Sequence, residues 1–355
     1  MRDSFFILSN GRTGSTWLSS LLNDCDDLLT RGELKWRPIG FKPSPHHFIV
    51  DHTTSSLPAL LEEKIGPDPK FTTHEIRACG SKMVFDPQCL LEPEIYGHIF
   101  RAIPAEAPLI HLRRSYLEVF LSFNARGAIH RLSERAQKNE GQSLDWTMRD
   151  QIAGQNADHR PPQLVLIQWG RLRLFLLDRL LRKSQVQVMS LSHFMEEILT
   201  YFIHDVYLAS FMKERKATRF VDYAEISSRF SELASFVGSQ LQPQQTNALL
   251  QTPFVEKLPN LPPELAWPSQ MASYFCEVLD DEIRAFTLSA DRAEDVARWD
   301  TRTRSFTIRS QRLADFMEMS EAAWKGRKSA FRLQRPDTVV IRPRKPIRAA
   351  VEATA

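Results

Sequence analysis

The strongest constraint on the fold lies near the N-terminus. Residues 4–9 read SFFILS, a short apolar run, and Asn10-Gly11-Arg12-Thr13-Gly14 follows at once. The next stretch, TWLSSLLND, places Leu18, Leu21 and Leu22 at helical spacing. The order is therefore strand, glycine-containing loop, helix. The same alternation recurs downstream, with an apolar strand pattern at Cys79–Phe85 and another at Leu109–Leu112 that runs into a helical pattern over 115–125. Strands alternating with helices imply a parallel sheet covered on both faces, so the expected class is α/β, three layers with a central parallel sheet.

Further patterns fit that frame. A short helix is expected near 57–65, a strongly apolar helix over Leu164–Arg182, a strand at Val186–Leu191 and a helix over 193–213. Arg219–Asp222 reads as a strand, and Ser227–Val237 as a helix stopped by Gly238. The polar stretch 131–162 reads as a solvated loop, with a mobile lid as the alternative. Beyond Pro243 the pattern is helix with proline-rich breaks, and 335–355 reads as a loosely ordered end. The expected organisation is one domain over residues 1–325 and a basic, proline-containing tail over 326–355.

The charge is concentrated in that tail. From Lys325 to Ala355 there are nine Lys/Arg against two acids, a local +7 within a total of +3, which leaves about −4 for the rest. The tail holds a single aromatic, Phe331, so stacking on nucleic-acid bases has little support. Cys25, Cys79, Cys89 and Cys276 lack CxxC spacing and no histidine pair has zinc-ligand spacing, so no structural metal is expected and the thiols read as free. No apolar run approaches the length of a membrane span, and the expected location is cytoplasmic.

The loop carries the chemistry. Between a strand and a helix it aims backbone N–H groups and the positive helix end at an anion, and Gly11 and Gly14 permit close approach. Nucleoside triphosphatases would read GxxxxGK[ST]; here Ser9 stands at the first glycine and Ser15 at the lysine. The cation inside the loop is Arg12, and Ser15 and Thr16 add hydroxyls.

This loop resembles the 5′-phosphosulfate loop of sulfotransferases that use 3′-phosphoadenosine-5′-phosphosulfate (PAPS), written PKSGT-T-W or PRSGST-L. Arg12 falls on the family's Lys/Arg, Thr13-Gly14-Ser15-Thr16 on its S-G-T/S-T, and Trp17 on its aromatic; Gly11 departs from its usual proline. A second signature agrees. In the family a strand-end Arg and a Ser eight residues later hold the 3′-phosphate, and Arg114 and Ser122 have that spacing, with Arg113 as the solvated neighbour. A looser likeness, Phe220-Val221-Asp222-Tyr223-Ala224-Glu225, resembles the segment whose Tyr touches the adenine region and nominates Tyr223; Ala224 interrupts that pattern, Val186–Leu191 competes for the same role, and the alternative for Tyr223 is ordinary aromatic packing.

The resemblance also bears on the general base. Phenol- and steroid-type members place a His two residues after a strand Lys, but Lys82 is followed by Met83 and Val84. Bacterial carbohydrate sulfotransferases of the trehalose-modifying kind use a Glu soon after the first helix, and Arg31-Gly32-Glu33-Leu34-Lys35-Trp36 resembles that segment, as GSKMVF at 80–85 resembles their second strand. The resemblance thus implies Arg12, Glu33 and Lys82 as catalytic residues and Gly11 through Thr16, Arg114, Ser122 and Tyr223 as donor-binding. His46, His47, His52 and His74 are the alternative bases, and His111, inside a strand, belongs to the core. The implied activity is sulfuryl transfer from PAPS, without a metal, to a hydroxyl of an acceptor such as a carbohydrate or glycolipid. Two rivals stand beside it: an ATP-dependent small-molecule kinase on a P-loop fold, and a non-catalytic nucleotide-binding module. Neither acceptor nor oligomeric state is read from the sequence.

Overall fold

A computed structural model describes residues 3–11, 13–36, 47–85, 94–120, 163–167, 186–240, 269–300, 302–303, 305–319, 331–335 and 338–341. Its centre is a six-stranded sheet in which every pairing is parallel. The strands are β1 (Asp3–Asn10), β2 (Leu28–Trp36), β3 (His47–Val50), β4 (Ala78–Phe85), β5 (Leu109–Arg113) and β8 (Thr218–Asp222), in the order β3-β2-β4-β1-β5-β8. Two further strands, β6 (Gln163–Ile167) and β7 (Val186–Ser190), form a separate parallel pair.

Side-chain alternation along β1 sorts the core into two layers. Phe6 and Leu8 join the helices α2 (Leu57–Ile65), α4 (Glu94–Arg101) and α5 (Leu191–Lys213), with α3 (Lys70–Thr73) near the opposite edge. Phe5 and Ile7 join α1 (Ser15–Asn23) and α6 (Ile226–Phe236) on the other face. Helix α1 buries Leu18, Leu21 and Leu22, the i, i+3, i+4 set that fixes its inward face. Its C-terminal end is closed from outside, where the Lys70 ammonium donates to the carbonyls of Asn23, Cys25 and Leu28.

The connections set where a ligand would lie. From β1 the chain crosses toward β2, whereas from β5 it crosses toward β8, although β1 and β5 are neighbours. Adjacent strands that leave in opposite directions open a crevice at their carboxyl ends, which is where open α/β sheets take ligands. The loop after β1 and the pair Arg113-Arg114 after β5 both stand there.

Several expectations need correction. Residues 163–167 form a strand, not the start of a helix; LVLI at 164–167 is a continuous apolar run, in which periodicity alone cannot separate the two, and pairing with β7 decides it. The rest of the expected helix 164–182 and the stretch 131–162 lie outside the described residues. The chain after Pro243 is not helical throughout. Helices α7 (Ser269–Leu288), α8 (Ala293–Val296) and α9 (Gln311–Met319) accompany an antiparallel sheet, order β11-β12-β10-β9, of β9 (Ala297–Asp300), β10 (Ser305–Arg309), β11 (Phe331–Arg335) and β12 (Thr338–Ile341). Part of the expected loose end is thus a strand, since Thr338–Ile341 pairs with β10 and Val339 is fully buried. Among the described residues no helix is long and apolar enough to cross a membrane.

Candidate functional site

Gly14 is the N-cap of helix α1, and its φ of 92° is in the left-handed region. A β-carbon there would stand 2.3 Å from Cδ2 of Tyr223, so the loop needs glycine both for its backbone and for the ring above it. Among the described residues no side chain caps the helix and its first turn carries no acid, so its first N–H groups point out of the helix with no side-chain cap from those residues. Thr13 is buried and donates from Oγ1 to the Asn10 carbonyl at 3.0 Å, tying the loop across its base. Ser15 is buried and Thr16 is exposed. Gly11 is half-buried beside Val84, and Arg12 lies outside the described residues.

On one side of this loop stand Arg114 and Tyr223. The Arg114 guanidinium lies over the Tyr223 ring, 4.5 Å from its centroid, and donates from Nε to Oε2 of Glu118 at 2.9 Å. Trp17 also packs against Tyr223, tilted, with 5.4 Å between ring centres. Tyr223 opens a short 3-10 turn after β8, and Asp222 immediately before it accepts from Nη2 of Arg113 at 3.2 Å. Arg113 is therefore no solvated strand end. It is buried against Asp222; burial disfavours its charge, and Asp205, Tyr116 and Asp222 outweigh that, holding the guanidinium above its ordinary value. His111 is fully buried in β5 and shares Asp205 with the Tyr116 hydroxyl, in keeping with a core role. Ser122 lies outside the described residues.

On the other side stand Lys82 and Glu33. The Lys82 ammonium donates to Thr16 Oγ1 at 2.7 Å and pairs with Glu33 Oε2 at 3.0 Å. Lys35 pairs with the second oxygen, Oε1, at 3.2 Å. Burial would raise the Glu33 pKa, but Lys82 and then Lys35 outweigh it, and the carboxyl is held below its ordinary value. Glu33 is an ionised carboxylate between two ammonium groups.

This geometry depends on one extra residue. Thr30 pairs with Gly80 and Glu33 with Lys82, three steps on β2 against two on β4. The bulge falls at Gly32, whose φ is 68° and where a β-carbon would stand 2.5 Å from the Phe48 ring. Before it, Leu28 faces the α1 layer; after it, Leu34 faces the opposite layer, so the alternation is reversed and Glu33 and Lys35 share the face of Lys82. The sequence pattern RGELKW contained the missing partner Lys35, two residues from Glu33, but only its assignment as a strand makes that spacing a contact.

The alternative bases separate. His47 is the register partner of Glu33 on β3. His52 and His98 pack edge-on against Trp36 at 4.8 and 5.5 Å. His74 precedes β4 at the amino-terminal edge of the sheet, 3.6 Å from Asp26, and is remote from the loop. His46 lies outside the described residues. Comparison with known proteins finds no match for this chain among family models, curated proteins or solved structures.

Proposed function

We propose that the chain is a sulfotransferase that moves the sulfuryl group of PAPS to a hydroxyl, with a carbohydrate or glycolipid as the acceptor class. The observation that carries this reading is the bridge made by Lys82, which joins Thr16 at the start of α1 to Glu33. It sets a cation between an anion-binding helix end and an ionised carboxylate, the three elements that sulfuryl transfer needs side by side.

In this reading the N–H groups of the first turn, with Arg12, Ser15 and Thr16, hold the 5′-phosphosulfate. Arg114 holds the 3′-phosphate and Tyr223 with Trp17 lines the nucleoside. Glu33 accepts the proton of the acceptor hydroxyl as its oxygen bonds to sulfur; the bond from sulfur to the phosphate oxygen breaks, and Lys82 and Arg12 stabilise the charge that the departing 3′-phosphoadenosine-5′-phosphate (PAP) takes away. The lowered pKa makes Glu33 a weaker base than an ordinary glutamate, so it takes the proton only as the acceptor oxygen bonds to sulfur and becomes acidic. The triphosphate reading is disfavoured by Ser15 at the loop lysine position, although Lys82 delivers an ammonium to the same helix end from β4.

Calorimetry with PAP and with ATP plus magnesium tests the proposal on the full chain. PAP is expected to bind and ATP with magnesium to bind far more weakly, and transfer from labelled PAPS to a panel of sugars is expected to survive EDTA. Absence of PAP binding by folded protein, or transfer that requires added magnesium, rejects it.

A further inference from the structure

We infer that Glu118 is a positioning residue for Arg114, holding one edge of the guanidinium so that its two terminal amino groups face an incoming phosphate together. The inference rests on the reading in which Arg114 grips the 3′-phosphate.

Arg114 lies two residues before the helical segment 116–120 and Glu118 stands in its first turn, four residues on from Arg114. Their side chains are 24% and 54% exposed, and pairs this open contribute little to folding. The pair matters for direction instead. Bonding Nε to Glu118 at 2.9 Å restrains rotation of the guanidinium, and the Tyr223 ring, whose centroid is 4.5 Å from the guanidinium carbon, supports it from a second side. An arginine on an unrestrained stem loses rotamer freedom when it takes an anion; one held on two sides has lost much of it already. Among the described residues no partner takes Nη1 or Nη2, and that fork can donate to a phosphate in a bidentate manner.

Glu118 also places a negative charge near the incoming phosphate, and two variants separate that cost from the positioning. Glu118→Gln keeps an oxygen for Nε and removes the charge; Glu118→Ala removes both. Calorimetry with PAP and with 5′-AMP, which lacks the 3′-phosphate, is run on the parent, both variants and Arg114→Ala, with circular dichroism to confirm folding. Glu118→Ala is expected to weaken PAP about 2- to 10-fold, the effect of freeing one ordered side chain, and to leave 5′-AMP unchanged. Glu118→Gln should hold PAP as tightly as the parent or more so. PAP bound by Glu118→Ala as tightly as by the parent, or PAP and 5′-AMP weakened alike, overturns the positioning role while the 3′-phosphate assignment stands. PAP affinity unchanged in Arg114→Ala overturns that assignment, and the inference falls with it.

Discussion

The contact between Lys82 and Glu33 can be weighed without knowing the acceptor. Its atoms are 3.0 Å apart and the side chains are 14% and 17% exposed, so it lies between a surface pair, worth about 0–1 kcal/mol, and a fully buried one, whose disruption costs about 3–5 kcal/mol. A hydrogen bond to a charged group contributes about 1.5–3 kcal/mol, and that is the expected coupling in a cycle of Lys82→Met, Glu33→Gln and the double variant. Loss of the bond from Lys82 to Thr16 is common to both legs of the cycle and cancels. Urea unfolding at pH 7 measures it. The sign of the pH dependence follows from the lowered Glu33 pKa. Stability from the ionised carboxylate is fully present above the ordinary value of 4.5 and is lost as pH falls through the lowered folded value. The coupling should therefore persist at pH 5 and shrink in stronger acid. A coupling under about 0.5 kcal/mol at pH 7 would mean that solvent screens the pair as at an open surface. A coupling that persists undiminished at acid pH, with the protein still folded, would mean that charge is not its origin. Either result removes Lys82 as the group that keeps Glu33 ionised.

Gly14→Ala should destabilise the protein by at least about 1–2 kcal/mol for the left-handed backbone alone, with a further loss from the Tyr223 ring in its path. Thermal unfolding of Gly14→Ala with Tyr223→Ala should recover the second part and not the first; additive losses would mean that the ring is not the obstacle. Lys70→Met should cost about 1–3 kcal/mol in urea unfolding, because the carbonyls of Asn23, Cys25 and Leu28 lose a common donor. An unchanged midpoint would show that water replaces it.

What the sequence disclosed followed from how local each signal was. The loop after β1 was readable because its glycines, its helix start and its flanking apolar periods all lie within twenty residues, and β4, β5 and α6 were readable for similar reasons. The register of β6 with β7 and the antiparallel sheet that takes in Thr338–Ile341 depend on partners distant in the chain, and no local period reports them. Tyr223 belongs to the same class: its sequence context looked like ordinary packing, and only the absent β-carbon of Gly14, more than two hundred residues away, shows what the ring is packed on.

Glu33 lies on a strand, Leu28–Trp36, that no uninterrupted alternation in the sequence announces. Strict alternation from Leu28 onward would have sent an odd-numbered residue to the layer of Leu29, away from Lys82. The extra residue at Gly32 reverses that, and only a residue that tolerates φ of 68° beside Phe48 can supply it. A bulge therefore converts a carboxylate that would have joined the layer of Leu29 and Met83 into one that meets two lysines beside the N-terminal end of α1. Its sequence mark is a single glycine inside RGELKW, which becomes informative once β2 is known to pair with β4 both before and after it.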